Sequence, residues 1–555
     1  YFLLGPDLGN NPDFEETDEP CWQELRQETD RRNLSCRFGR WNIPGRPKVI
    51  LVGYRDRYDQ SQLLFSLWNR YGVDSISGGW DYVEPVMFST ACGEVIEAAC
   101  KALHIPADGP ALAHFHEWMC GGGLLYLKTN APYVGTVFTT HATMLGRSMA
   151  GSGFDIYKQM HQINPKHGAG AYNITAKCSM ETASAREADC FTTVSRITAD
   201  EAGVFLGRTP DVLTLNGLDL RVIPDYSRDR SLAAASRQRL LEAAGRLLRR
   251  RLPEDTRVFL VSGRYEYHNK GIDVFIESLK KLAASDKLRR EVLAYITVPA
   301  GNRGPRPDLQ AHLADPAQPI DPAQYAHSTH LLENPAWDPI VNALKDSILT
   351  TPESKVKVIF VPTYLNRADG IFDKDYYELL AGMDLTVFPS YYEPWGYTPL
   401  ESIAFSVPTI TTTLAGFGIW AEKHREHAGV EVIRRDDYND REVEEQIADA
   451  LVRFAALDDK HVNEVRVSAA DLSATALWEH LYPAYEQAYS EAVESSVVRT
   501  NRAVLDDGGS KTEQINFVRQ QLFVEKPNWN RMMVDKTLPK RLHALEELSR
   551  NLWWC

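Results

Sequence analysis

Glu393 and Glu401 lie eight positions apart in Phe388-Pro-Ser-Tyr-Tyr-Glu393-Pro-Trp-Gly-Tyr-Thr-Pro-Leu-Glu401. The apolar run before them reads as a buried strand, the Pro/Gly stretch as a turn, and Thr398 as lying near the start of a helix. Two carboxylates would then bracket a helix N-terminus, whose free N–H groups and positive dipole end suit a pyrophosphate. A carboxylate accepts hydrogen bonds from vicinal hydroxyls, so one acid can hold a transferred sugar and the other a ribose. Spacing alone is equally consistent with a turn that happens to carry a Glu at each end.

Elements of two kinds must position these acids. Short apolar, β-branched runs recur at 49–53, 133–140, 190–195, 258–263, 292–298, 356–363, 385–389, 408–413 and 431–433. Helical patterns at 272–284, 375–383, 442–456 and 475–493 alternate with them, which predicts an α/β fold with parallel sheets. The pattern breaks over 227–253, where Leu, Ala and Arg dominate, and a boundary between two α/β domains is expected there. Residues 299–336, rich in Pro, Ala, His and Asp, read as a surface insertion. After about residue 495 the chain reads as a linker, with Asp506-Asp-Gly-Gly-Ser510 at its centre.

Composition narrows the partners. The 555 residues carry a formal net charge of −14, which disfavours nucleic acid or an acidic membrane surface. No apolar run of about 18 residues predicts a transmembrane helix. The eight Cys have irregular spacing and form no C-x-x-C pair, which fits reduced thiols of a cytoplasm rather than a disulfide frame or zinc site. A phosphate-bearing substrate must therefore meet a local cluster of cations. Gly263-Arg264 follows an apolar run, with Asn269-Lys270-Gly271 close behind, so both cations emerge at a strand's carboxyl end. Isolated, either would pass for a solvated surface charge.

The full wording resembles glycogen synthase of the animal and fungal type, a retaining glycosyltransferase of the GT-B class. The resemblance rests on the Glu393–Glu401 segment together with His114-Phe-His-Glu-Trp118, Thr140-His-Ala-Thr-Met-Leu-Gly-Arg147, Thr192-Thr-Val-Ser-Arg-Ile-Thr-Ala199, Leu215-Asn-Gly-Leu-Asp219, Gly263-Arg-Tyr-Glu266, Asn269-Lys-Gly271 and Gly416-Phe-Gly418, in family order from residue 1 to about 495. It implies two Rossmann-like domains facing across a cleft, over 1–235 (acceptor side) and 236–470 (donor side). A helix over 471–495 would return to the first domain, and 496–537 would be a linker. The family's N-terminal Lys-x-Gly-Gly loop does not precede Tyr1, so the first strand and glycine loop are expected to be missing.

The resemblance further implies glucosyl transfer from UDP-glucose to the non-reducing 4-hydroxyl of an α-1,4-glucan, with no metal or other cofactor. Arg264, Lys270 and Arg147 would bind the donor phosphates, and His141 and Glu393 the glucose. Backbone of Trp395 and Gly396 would lie near the glucose, with Thr398 on the phosphate, Glu401 on the ribose, and the Tyr376 ring stacked on uracil. His116 and Glu117 would shape the acceptor side. Competing readings are an ADP-glucose-dependent glucan synthase or another retaining GT-B transferase, and a glucan-binding scaffold with a dead site. The joint presence of His141, Arg264, Lys270, Glu393 and Glu401 argues against decay. Where eukaryotic members have an Arg-rich, glucose-6-phosphate-binding helix, residues 458–472 contain the single Arg466, and no such activation is expected. The tail, 538–555, ends in Asn551-Leu-Trp-Trp554 and resembles the opening of bacterial α-glucan phosphorylases. It implies a fused, truncated second enzyme and a bacterial cytoplasm. Oligomeric state is open.

Overall fold

The computed structural model describes residues 2–105, 111–219, 221, 230–321, 327–424 and 426–506. Three sheets dominate it. The largest has six strands in the spatial order Val356–Val361, Val292–Thr297, Arg257–Ser262, Leu385–Phe388, Thr409–Thr412 and Val430–Ile433, all parallel. All but the last are buried along their whole length. Burial on both faces explains why most of them read as apolar runs without alternation. The helix Ile272–Ala284 covers part of this sheet through Ile272, Phe275, Ile276, Leu279 and Leu282, spaced as one helical face.

Chain order reverses at the middle of this sheet. From Arg257–Ser262 the next strands build outward on one side, then Leu385–Phe388 starts again on the other. Such a switch point opens a crevice at the strands' carboxyl ends. Arg264 follows the first of these strands and Glu393 the second.

The amino-terminal half holds a parallel sheet of Leu112–His116, Gly135–Thr140, Cys190–Thr193 and Val212–Leu213. A further four-stranded sheet has the order Leu3–Pro6, Lys48–Val52, Cys36–Trp41, Phe14–Glu16. In it Cys36–Trp41 runs antiparallel to both neighbours, which corrects the all-parallel expectation. The short return from Cys36–Trp41 to Lys48–Val52 needs no helical crossover, so alternation of strand and helix could not signal it.

Two other expectations change. Residues 299–336 are not merely a loose insertion: Asn302–Pro305 pairs with His330–Leu332, the helix Pro307–Ala314 follows, and Arg306 is buried against Asp308. The last helix runs from Trp478 to Asp506, so residues 496–506 are helix rather than linker. It packs Tyr485, Ala488, Tyr489 and Ala492 onto Val137, Cys190 and Val212 of the amino-terminal half. The rest of the expected linker and the tail 538–555 lie outside the described residues. Among the described residues no helix is long and apolar enough to cross a membrane. The seven described cysteines are free thiols.

Candidate active site

Asn269-Lys270-Gly271 forms the turn into the helix Ile272–Ala284, and its backbone holds the Glu393 loop. The Asn269 carbonyl accepts from the backbone N of Tyr391 at 2.9 Å and of Tyr392 at 3.2 Å. Lys270 Nζ then meets Glu393 Oε2 in an ion pair whose side chains keep only 14% and 15% of their surface exposed. Arg264 stands further out, 60% exposed, 2.9 Å from Glu266 Oε1. A carboxylate and two cations therefore converge at the switch point.

The rest of the signature loop is fixed by backbone. The Glu393 and Trp395 carbonyls accept from Gly416 N (3.0 Å) and Phe417 N (2.7 Å). A Cβ at Gly416 would lie 2.2 Å from the Pro394 carbonyl oxygen, so this approach demands glycine. Gly396, at φ +111°, caps the helix Tyr397–Ala404. Trp395 turns its indole into an apolar cluster with Phe417 and Trp420, leaving only its backbone toward the site. Thr398 is part-buried in the helix's first turn. Glu401 accepts from the Tyr377 hydroxyl at 2.8 Å, and burial raises its pKa. Tyr376 holds Ser262 Oγ at 2.8 Å through its hydroxyl and packs edge-on against Tyr377.

From the amino-terminal half, His141 follows the strand Gly135–Thr140, and Arg147 lies on the helix Met144–Gly151. Arg147 is exposed and forms no ion pair among the described residues. Burial, then the charge of Arg147, lowers the His141 pKa, which keeps the imidazole neutral near pH 7. His116 and Glu117, expected on the acceptor side, both contact His141: His116 Nδ1 lies 3.0 Å from His141 Nε2, and Glu117 Oε1 accepts from the His141 backbone N at 3.0 Å. Burial pushes the His116 pKa down to about 3 and raises that of Glu117.

The two halves meet along this site. A Cβ on Gly151 would come within 3.9 Å of Asn269 Nδ2, and one on Gly416 within 2.6 Å of Ser195 Cβ. Tyr392 crosses to Glu201 and Tyr391 to Ile156, contacts that no motif spacing signals. Two α/β units that meet along this site, with cations and carboxylates following their strands, fit the GT-B class of glycosyltransferase.

A glycogen synthase family model matches residues 1–304 and 323–547, and the chain belongs to that family. The match runs into the tail, through residues 538–547. Glycogen [starch] synthase isoform 2 of Saccharomyces cerevisiae is 30% identical over 507 residues, covering 78% of this chain and 71% of the yeast protein. The liver glycogen [starch] synthase of Rattus norvegicus is 31% identical over 76% of this chain and 68% of its own. Among solved structures, the catalytic domain of starch synthase IV from Arabidopsis thaliana bound to ADP and acarbose is similar, at 13% identity and a TM-score of 0.47, covering 83% of this chain and 85% of that one.

Behind the helix that bears Arg147, a buried carboxyl sets a pH dependence. Burial first, then the charge of Glu117, lifts the Glu181 pKa to about 8, against hydrogen bonds from Thr140 Oγ1 (2.6 Å) and Met144 N (2.9 Å) that lower it; the Glu201 charge adds to the rise. A folded pKa above the unfolded value means the folded state binds the extra proton between about pH 4.5 and 8. Stability from this group is thus full below pH 4.5 and lost as pH rises through 8. Between pH 5.5 and 8.5, Glu181→Gln should lose about 3 kcal/mol less unfolding free energy than the parent. Urea titrations of both proteins at the two pH values measure this, and parallel losses would refute it.

Proposed function

We propose that this glycogen synthase family chain transfers glucose from UDP-glucose to the non-reducing 4-hydroxyl of an α-1,4-glucan, with retention of configuration. The Lys270–Glu393 pair at the switch point, with Arg264 beside it, is the observation that carries this reading. Lys270, Arg264 and the amino end of the helix Tyr397–Ala404 would hold the diphosphate, and Arg147 would reach a phosphate from the other half. Glu393 would hold glucose hydroxyls, with His141 opposite. Glu401, oriented by Tyr377, would take the ribose, and the Tyr376 ring the uracil.

On this reading the bond from glucose C1 to the β-phosphate oxygen breaks while the acceptor 4-oxygen bonds to C1 on the same face. The departing phosphate takes the 4-hydroxyl proton, and the products are UDP and a glucan longer by one unit. Arg264, Lys270 and the helix dipole stabilise the charge growing on the phosphate, the role a divalent ion would otherwise fill, so catalysis is expected without a metal. Arg466 donates to the carbonyls of Met383 and Ser406, which supports the reading that glucose-6-phosphate does not activate.

Transfer of labelled glucose to glycogen, compared between UDP-glucose and ADP-glucose, tests the reading. UDP-glucose should be the better donor, with a rate unchanged by EDTA or by glucose-6-phosphate. Preference for ADP-glucose would refute the donor, an EDTA-sensitive rate the metal independence, and a rise with glucose-6-phosphate the lack of activation. The free thiols of the described residues support a cytoplasmic location. The Asn551-Leu-Trp-Trp wording supports a fused bacterial phosphorylase, which the coding sequence downstream would show or refute.

A further inference from the structure

Tyr391 and Tyr392, between the strand Leu385–Phe388 and Glu393, lean out of the donor half into an apolar cluster built largely by the other half: Leu145, Met149, Ile156 and Phe205. The Tyr391 hydroxyl accepts from Ile156 N at 2.8 Å and donates to Asp437 Oδ1 at 2.9 Å. The Tyr392 hydroxyl donates to Glu201 Oε1 at 2.8 Å. Both tyrosines bury their rings. They join the halves of the molecule at the residues next to Glu393.

Glu201 has a second partner. The same Oε1 accepts from Thr143 Oγ1, and Thr143 is the N-cap of the helix Met144–Gly151, its Oγ1 accepting from Gly146 N at 3.0 Å. That helix carries Arg147. A Cβ at Gly146 would stand 2.1 Å from Glu201 Oε1, so the helix can lie against this carboxyl only with glycine there. One buried oxygen thus ties the start of the Arg147 helix to the residue before Glu393.

We propose that Glu201 is a positioning residue that couples the two halves of the donor site, fixing the Arg147 helix relative to Glu393 through Thr143 on one side and Tyr392 on the other. The proposal rests on the donor-site reading above for its effect on turnover, though not for the coupling itself. Both hydrogen bonds converge on one oxygen that acts only as acceptor. A glutamine carbonyl can replace it, whereas an apolar side chain cannot. Without the tie, the assembled site is one of several relative placements, and apparent donor affinity falls by the fraction assembled.

The test compares Tyr392→Phe, Glu201→Gln, Glu201→Leu and the double variant Tyr392→Phe/Glu201→Leu. Tyr392→Phe keeps the buried ring and removes only the hydroxyl. It should raise the KM for UDP-glucose and the Kd for UDP about tenfold, with a smaller loss in kcat, while Glu201→Gln stays within about threefold of the parent. The double variant should be no worse than Glu201→Leu alone, because both remove one linkage. Independent multiplication of the two effects would overturn the proposal.

Amide hydrogen exchange reads the coupling without turnover. Tyr392→Phe should speed exchange across residues 144–150 about tenfold, 240 or more residues away in the chain, and Glu201→Gln should not. Exchange that rises only near residue 392 would overturn the coupling. If the exchange result holds while UDP-glucose is not a substrate, the donor reading fails and the coupling stands.

Discussion

Lys270→Ala is expected to lower kcat about 10³-fold and Arg264→Ala about 10²-fold, as removal of a group aimed at developing charge does. The order follows from their surroundings. Lys270 is mostly buried and paired with Glu393, whereas Arg264 is largely exposed and shares its charge with Glu266. A cation screened by water loses most of its pull on a phosphate, and one in a part-buried site keeps it. Lys270→Ala also removes the ion-pair partner of the part-buried Glu393 carboxylate.

Lys270→Met separates these contributions, because it keeps the length and packing of the side chain while removing the charge. If Lys270 acts on the leaving phosphate, kcat and kcat/KM fall together in Lys270→Met, the pattern of an interaction gained at the transition state. A change confined to KM, or a loss below about tenfold in kcat, would remove Lys270 from the chemistry. Initial rates with UDP-glucose and saturating glycogen decide between these outcomes, with Glu393→Ala as the matched removal of the pair's other member.

The residues of this constellation were legible in the sequence because each sits where a periodic pattern stops. Strands buried on both faces announce themselves as unbroken apolar runs, and Arg264, His141 and the Glu393 loop follow three of them. The helix Ile272–Ala284 is read to the residue, since its apolar face repeats cleanly. The helix Trp80–Ala102 gives no such signal. It is buried around most of its circumference, through Tyr82, Val86, Met87, Ala91 and Val95, and contains Pro85, so neither stripe nor cap marks it. Cys36–Trp41, with Arg37, Gly39 and Arg40 inside it, hides an antiparallel strand for a similar reason: its pairing supplies what its composition does not.

Support around the site was the least legible part. Tyr377 orients Glu401 and Tyr392 meets Glu201, yet each is one polar residue in an apolar neighbourhood. Their partners lie 24 and 191 positions away, beyond any spacing rule. His116 meets His141, at the end of the adjacent strand and 25 positions away, in the same unsignalled way. Motifs locate a site; the residues that hold its geometry appear only once the chain is folded.

Gly271 is where fold and chemistry meet most tightly, and Gly271→Ala should cost about 3–4 kcal/mol of stability, from the left-handed backbone and from a clash. Its φ is +67°, and a Cβ would lie 2.0 Å from the Pro389 carbonyl oxygen, with the Pro389 carbonyl carbon at 2.6 Å. These are backbone atoms, so no rotamer change relieves the contact. Gly207 supplies the control: its φ is +70°, nearly the same, but nothing lies within 4 Å of a Cβ there. Gly207→Ala should therefore cost about 1 kcal/mol, the backbone term alone. Any relief in Gly271→Ala must push the strand-end loop at Pro389 away from the turn that carries Lys270, which widens the Lys270–Glu393 pair. A misplacement of about 1 Å in such a site can cost about 10²-fold in rate, so activity should fall even where the variant is fully folded. Urea unfolding of both variants, with kcat measured well below the transition, checks both parts. Equal stability losses for the two alanines would show that Pro389 yields freely, and the packing of Lys270 against the Glu393 loop would then not be what requires glycine at 271.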